Sequence, residues 1–139
     1  MPPLPLLDDR RQVFEFYDEV CTRSYASLRS DQRLDHEQNL LKSYIIEVHQ
    51  PGGTLEPGDR LRFLNRLLEP VKAEAIATRE ETLFNVRRGD FVVHCDALND
   101  RFWVIHASTP AASTDRFIDE ITRSSAAADS VWFHTAAIV

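Results

Sequence analysis

Two histidines and an aspartate on neighbouring segments are the side chains of this chain best suited to chemistry. His94 and Asp96 lie in one apolar run and His106 lies in the next, within the stretch FVVHCDALNDRFWVIHAST. Imidazole and carboxylate groups can transfer protons and can bind divalent metal ions. His134, on the last apolar segment, could join them. The first three are therefore candidate catalytic residues, in an acid–base cluster or at a metal site whose ion is unknown.

A predicted β-hairpin determines whether these side chains meet. The runs on either side of residues 97–100 are rich in β-branched and aromatic residues, and the break contains Asn and Asp. With a four-residue loop, His94 and Asp96 share one face, with His94 opposite Trp103, and His106 points away. A loop of three or five residues would bring His106 to the same face, because side chains alternate along a strand. The four-residue loop predicts a buried face of Phe91, Val93, Cys95, Phe102, Val104 and His106.

Nucleophilic chemistry at Cys95 is not favoured, because the adjacent His94 points to the opposite face of the strand. With the four-residue loop His106 shares the face of Cys95, but it lies roughly two residue pairs away. The chain has two cysteines, Cys21 and Cys95, which allow neither a disulfide framework nor a Cys-x-x-Cys metal motif. We therefore expect Cys95 to be a buried structural residue, and we expect the protein to be located in the reducing cytoplasm.

Composition excludes several classes of function. The chain has 139 residues, 43% hydrophobic and 27% charged, as in a soluble globular domain. Its net charge of −6 argues against nucleic acid as a partner, since such partners require a basic patch. Four glycines are too few for a phosphate loop or a dinucleotide fingerprint, so no cofactor is expected. No run of 18 apolar residues could span a membrane, and the N-terminus does not resemble a secretory signal.

The first 82 residues predict helices. After an extended proline-rich arm over residues 1–7, Asp8 or Asp9 can cap a helix that runs to about Leu28. Residues 34–48 suit a second helix, although the subsegment SYIIEVH could instead be a strand. A third helix begins near Asp59. It should kink or divide at Pro70 and continue through the helix-favouring stretch KAEAIATREE.

The remaining residues predict a sheet. A short strand begins at Leu83, the hairpin follows, and Ser113 or Thr114 can cap a helix before the final strand SVWFHTAAIV. Strands clustered after helices indicate an α+β fold, with about three N-terminal helices covering one face of a mainly antiparallel sheet of order βββαβ. A β-α-β return could make the last strand parallel to the one before it. Residues 8–139 would form a single domain, with a helical part over 8–82 and a sheet part over 83–139.

The sequence favours binding over catalysis. The hypothesis is a non-catalytic protein-interaction or regulatory module, such as an inhibitor, an immunity-type protein or an adaptor domain of a larger assembly. The final strand is apolar and aromatic, so at a sheet edge it would pair with a protein partner or a second copy of the chain. One alternative is a small metal-dependent hydrolase, and another is a small-ligand sensor with a pocket between a tryptophan and the helices. The candidate binding residues are Trp103, Trp132, Phe133 and His134.

Overall fold

Three helices and six strands make up the described part of the chain. The computed structural model describes residues 6–29, 41–49, 58–97, 99–108 and 111–130. The α+β class predicted from the sequence is confirmed. The helices are α1 (Arg10–Arg29), α2 (Asp59–Leu68) and α3 (Ala111–Ser124), and α2 is followed by a 3₁₀ turn (Glu69–Val71). The strands are β1 (Lys42–Val48), β2 (Glu74–Ala77), β3 (Leu83–Arg88), β4 (Phe91–Asp96), β5 (Phe102–Ala107) and β6 (Ala128–Ser130).

The strands form one sheet in the order β2-β3-β4-β5-β1-β6, and every neighbouring pair is antiparallel. Because β1 lies between β5 and β6 and is antiparallel to both, β5 and β6 run in the same direction. The direction expected for a β-α-β return is therefore present in β6. The intervening strand was not foreseen. Residues 131–139, most of the predicted final strand, lie outside the described residues.

Two of the six strands lie in the part predicted to be helical. Lys42–Val48 forms β1, which confirms the alternative prediction of a strand in the segment SYIIEVH. Glu74–Ala77 forms β2, so the predicted helical continuation after Pro70 is wrong. The α-helix ends at Leu68, and the 3₁₀ turn that follows it ends at Lys72, which adopts a left-handed conformation with φ of 59°. Antiparallel pairing of β2 with β3 then outweighs the helix propensity of its residues.

Helices cover both faces of the sheet, so the predicted one-sided arrangement is also wrong. The core face is covered by α2 and α3, and it buries alternate strand residues such as Val93, Trp103 and Ile105 against Leu64 and Phe117. The opposite face, which we call the α1 face, is covered by α1. A small apolar cluster of Val13, Tyr17 and Leu83 forms its contact, with Leu7 and Phe16 packed against it. None of the described helices combines the length and the hydrophobicity that a membrane span requires.

The β4–β5 register differs from the one predicted with a four-residue loop. Asp96 lies opposite Val104 and His94 lies opposite His106, so seven residues separate the first pair. Because the number of intervening residues is odd, His106 lies on the same face as His94. A loop of three or five residues was expected to have the same effect. The core face of β5 accordingly carries Trp103, Ile105 and Ala107, and the predicted buried residues Phe102, Val104 and His106 point the other way.

Burial of Trp103 is the physical reason for this register. Its side chain is 0% exposed, and its indole N–H donates to the backbone oxygen of Asn99 at 2.7 Å. The Asn99 side-chain oxygen accepts the backbone N–H groups of Arg101 and Phe102 at 2.7 and 3.2 Å. The Asn99 turn therefore directs the largest side chain of β5 into the core, where burial of its apolar area is most favourable.

Candidate functional site

The three candidate catalytic residues lie together on the α1 face. His94 and His106 are direct neighbours across β4 and β5, and Asp96 is two positions along β4 from His94. Helix α1 lies over them, and two of its side chains, Arg10 and Tyr17, reach into the group. We call these five residues the α1-face cluster. The sequence therefore identified the strand members of the cluster but missed the members supplied by α1.

Tyr17 joins the two histidines. Its hydroxyl donates to the backbone oxygen of His106 at 2.7 Å, and its oxygen lies 2.6 Å from Nδ1 of His94. Because the only hydroxyl proton goes to the carbonyl, the hydrogen on the second bond must come from Nδ1 of His94. This arrangement assigns the Nδ1–H tautomer to His94, which is 1% exposed. Burial raises the pKa of the Tyr17 phenol, so Tyr17 acts as a neutral donor and acceptor.

Arg10 donates hydrogen bonds to both carboxylate oxygens of Asp96. Its Nε and one terminal nitrogen donate to them at 3.0 and 2.9 Å, a bidentate geometry. The same guanidinium donates to Glu80 at 2.7 Å and to the hydroxyl of Thr82 at 2.6 Å. The hydrogen bond with Asp96 is the main cause of a raised Arg10 pKa. Asp96 therefore binds the first turn of α1 and is not presented as a base or as a metal ligand.

The N-terminal segment before α1 is bound to the same face. Asn85 is 2% exposed, and its side-chain amide exchanges two hydrogen bonds with the backbone of Leu7, at 2.9 and 2.8 Å. Asp9 caps the helix by accepting the backbone N–H of Gln12 at 2.8 Å, as predicted, and the backbone N–H of Arg10 donates to Glu80. Polar contacts therefore hold the start of α1 against β3 and β4.

His106 is less buried than His94, the other histidine of the α1-face cluster. Its Nδ1 lies 2.7 Å from the hydroxyl of Ser43, its neighbour across β5 and β1. Burial lowers the His106 pKa from its ordinary value, and the negative charge of Asp96 opposes this effect. His106 is consequently a neutral ring at neutral pH, which suits a position beneath a helix.

The lowered His106 pKa predicts a loss of stability in acid. At His106 the folded state binds a proton less readily than the unfolded chain. The contribution of neutral His106 to the free energy of unfolding is therefore complete above the unfolded pKa of about 6.5, and it declines as pH falls below that value. In His106→Gln, the free energy of unfolding should decrease less than in the wild type between about pH 8 and about pH 5. Urea unfolding at both pH values measures the difference. An identical decrease in the two proteins would contradict the assignment.

Metal binding and nucleophilic chemistry depend on where the possible metal ligands and the Cys95 thiol lie. In the part of the chain that the structure describes, no group of three or more His, Cys, Asp or Glu side chains could hold a metal ion. His134 lies outside that part. Cys95 is 0% exposed on the core face, away from both histidines, and burial raises its thiol pKa. Cys95 is therefore a buried thiol in an apolar core, as expected.

Of the four predicted binding residues, the described part of the chain includes Trp103. Trp103 is enclosed by the core and bound to Asn99. Trp132, Phe133 and His134 lie outside the described residues. A sequence signal for the missed α1-face residues did exist. Asn85 interrupts the apolar run over residues 83–86, and Arg10 is a cation at a helix N-terminus, where the helix dipole disfavours it.

Comparisons with known proteins identify the family. The chain is 26% identical over 136 residues to the protein named "Uncharacterized protein MJECL33" from Methanocaldococcus jannaschii. The match covers 95% of this chain and 30% of that relative, so the chain spans less than a third of the relative's length. No solved structure matches this chain. The family model described as "MJECL33-like protein" matches residues 1–138, and the chain belongs to this family.

Proposed function

We propose that this chain is a non-catalytic protein-interaction or regulatory domain that works within a larger assembly in the cytoplasm. One observation carries the proposal. The candidate catalytic side chains are bound to partners inside the domain, Asp96 to Arg10, His94 to Tyr17 and His106 to Ser43. The first two bonds hold α1 against β4, and the third connects β5 to β1. The outer surface of α1 faces solvent. Similarity to one part of a longer relative supports a role as a domain of a larger protein or complex.

The outer surface of α1 presents an aromatic side chain of the kind found at the centre of protein interfaces. Phe14 is 79% exposed, the largest value among the exposed large hydrophobic side chains of the described residues. Charged neighbours surround it on the helix, including the ion pair of Arg11 with Glu15. A large aromatic residue within a polar rim is typical of an interaction hot spot. The free-energy gain from covering a phenyl ring would be about 2 kcal/mol.

Replacing Phe14 with serine should weaken association and leave the domain folded. The ring makes little contact within the domain, so the free energy of unfolding should change by less than about 0.5 kcal/mol. Affinity for a second copy, or for a purified partner, should fall about tenfold or more. Sedimentation equilibrium measures self-association, and titration with the purified partner measures hetero-association. Glu15→Ser is the matched control. Equal binding by Phe14→Ser, Glu15→Ser and the wild type would show that the outer surface of α1 is not the interface.

Association through the C-terminal strand stays a prediction and can be tested in the same experiment. β6 lies at one edge of the described sheet, where a following segment or a partner strand could pair. Phe133→Lys should abolish association if residues 131–139 form the contact. Loss of binding in Phe133→Lys with normal binding in Phe14→Ser would assign the interface to that strand.

The metal-dependent hydrolase stays an untested alternative. It is favoured by the shared face of His94, Asp96 and His106. It requires Asp96 to exchange its two bonds with Arg10 for a metal ion. Stoichiometric zinc in the purified protein, absent from His94→Ala, would support it, and equal metal content in both proteins would reject it.

A further inference from the structure

A cavity outside the α1-face cluster opens on the other side of the sheet. Its volume is about 270 Å³, and it lies between α2, the residue after β1 and the turn before β6. The lining residues are His49, Phe63, Arg66, Leu67, Ser125 and Ala127. A volume of about 270 Å³ corresponds to roughly nine water molecules, and hence to an organic compound of about nine non-hydrogen atoms.

The inner wall of this cavity is apolar. Phe63, Leu67 and Ala127 form it, and Leu67 is part of the main hydrophobic core. The Phe63 ring also packs edge-on against the Trp103 ring, with centroids 5.6 Å apart. Such a wall favours an aliphatic or aromatic group, because that group leaves water when it binds.

The rim supplies an unmatched positive charge. Among the arginines whose side chains the structure describes, all except Arg66 and Arg116 form ion pairs with carboxylates. Arg66 lines the cavity, whereas Arg116 does not. A guanidinium can bind a carboxylate through two parallel hydrogen bonds. The polar end of a ligand in this cavity is therefore expected to be an anion.

Neighbouring carboxylates limit the charge of that anion. His49 at the rim is 2.8 Å from Asp129 through Nε2 and 3.8 Å from Glu47 through Nδ1. These two negative groups would repel a phosphate or another dianion more strongly than a single carboxylate. His49 and Ser125 share no hydrogen bond, and the Ser125 hydroxyl accepts the backbone N–H of Ala127 at 3.1 Å. The rim is therefore suited to binding and lacks an activated serine.

We propose that this cavity binds a small amphipathic monocarboxylate, with its apolar body against Phe63 and Leu67 and its carboxylate on Arg66. The site would add a small-ligand sensing function to the domain. This function goes beyond the protein interaction proposed above. The two proposals can fail independently, because the Phe14 surface and the cavity consist of different residues on opposite sides of the sheet.

Hexanoate and hexanamide form a matched pair of probes, since they share size and shape and differ in charge. In ¹H–¹⁵N spectra of the full chain, hexanoate should shift the amide signals of Leu67, Ser125 and Ala127 saturably, with millimolar affinity. Hexanamide should bind about tenfold more weakly, because it loses the charge-assisted bonds to Arg66. Arg66→Gln should weaken hexanoate binding by a similar factor, and Arg116→Gln should not change it.

Three results would overturn the proposal. They are equal affinity for the two probes, equal hexanoate affinity in Arg66→Gln and wild type, and absence of a saturable shift at these amides up to about 50 mM. Filling the cavity provides a second variant that does not alter charge. Ala127→Leu should also abolish the shifts at Leu67 and Ser125, with a dispersed spectrum showing that the domain remains folded. Hexanoate binding retained in that variant would place the ligand elsewhere.

Discussion

Arg10→Ala is expected to lower the free energy of unfolding by about 3 kcal/mol, the largest effect of any substitution considered. The change removes two hydrogen bonds to Asp96, one to Glu80 and one to Thr82. The Asp96 side chain is only 18% exposed, so its charge would lose its partner in a position that water reaches poorly. Removing one member of such a pair costs more than the pair itself contributes. Urea denaturation followed by circular dichroism gives the value.

The adjacent arginine provides the control. Arg11 belongs to the same helical turn and also forms an ion pair, with Glu15, but its side chain is 82% exposed. Solvent screening makes such surface pairs contribute little, so Arg11→Ala should cost less than about 0.5 kcal/mol. Equal destabilisation by the two substitutions would mean that Arg10 contributes only as a surface residue and that α1 is held in another way.

Tyr17→Phe is expected to cost about 2 kcal/mol, the second largest effect. The substitution keeps the ring, which packs against Val13 and Leu83, and removes only the hydroxyl. The Nδ1–H of His94 and the backbone oxygen of His106 would then each lose a hydrogen-bond partner beneath α1. A buried polar group without a partner loses its hydration without compensation. The measurement is again the free energy of unfolding.

A second tyrosine distinguishes this burial effect from the loss of any tyrosine hydroxyl. Tyr44 donates to Asp115 near the surface, and Lys42 also binds that carboxylate at 2.7 Å. Lys42 remains after Tyr44→Phe, so a loss below about 1 kcal/mol is expected there. ¹⁵N shifts of the imidazole nitrogens provide an independent readout, since they distinguish the two neutral tautomers. An Nε2–H tautomer for His94 in the wild type would contradict the bond assignment.

Both substitutions also bear on the proposed interaction. Helix α1 presents Phe14 outward, while Arg10 and Tyr17 bind its inner side to the sheet. If a partner recognises Phe14 on the docked helix, then weakening the inner contacts should reduce binding without altering the outer surface. An interface formed by residues 131–139 would be much less sensitive to these changes.

Local patterns in the sequence were sufficient for the fold class and for several elements. Asp9 followed by an apolar stripe at helical spacing predicted α1, and the cap forms as expected. The β-branched runs around Asn99 predicted β4 and β5. His94, Asp96 and His106 were identified as a possible group from their residue types. These features depend on hydrogen bonds and side-chain periodicity within a few residues, which is the information that a short segment contains.

Tertiary contacts decided the rest. KAEAIATREE has high helix propensity, yet Glu74–Ala77 pairs with β3 because a sheet partner is available and Lys72 has already turned the chain. The β4–β5 register follows from burial of Trp103 in a core built largely by other segments. The hydrogen-bond partners of the polar group also come from distant parts of the chain, because Arg10 and Tyr17 are 86 and 77 positions away from Asp96 and His94. Residue types indicated which side chains could form a polar group, but only the packing of α1 over the sheet brought Arg10 and Tyr17 into hydrogen-bonding contact with them.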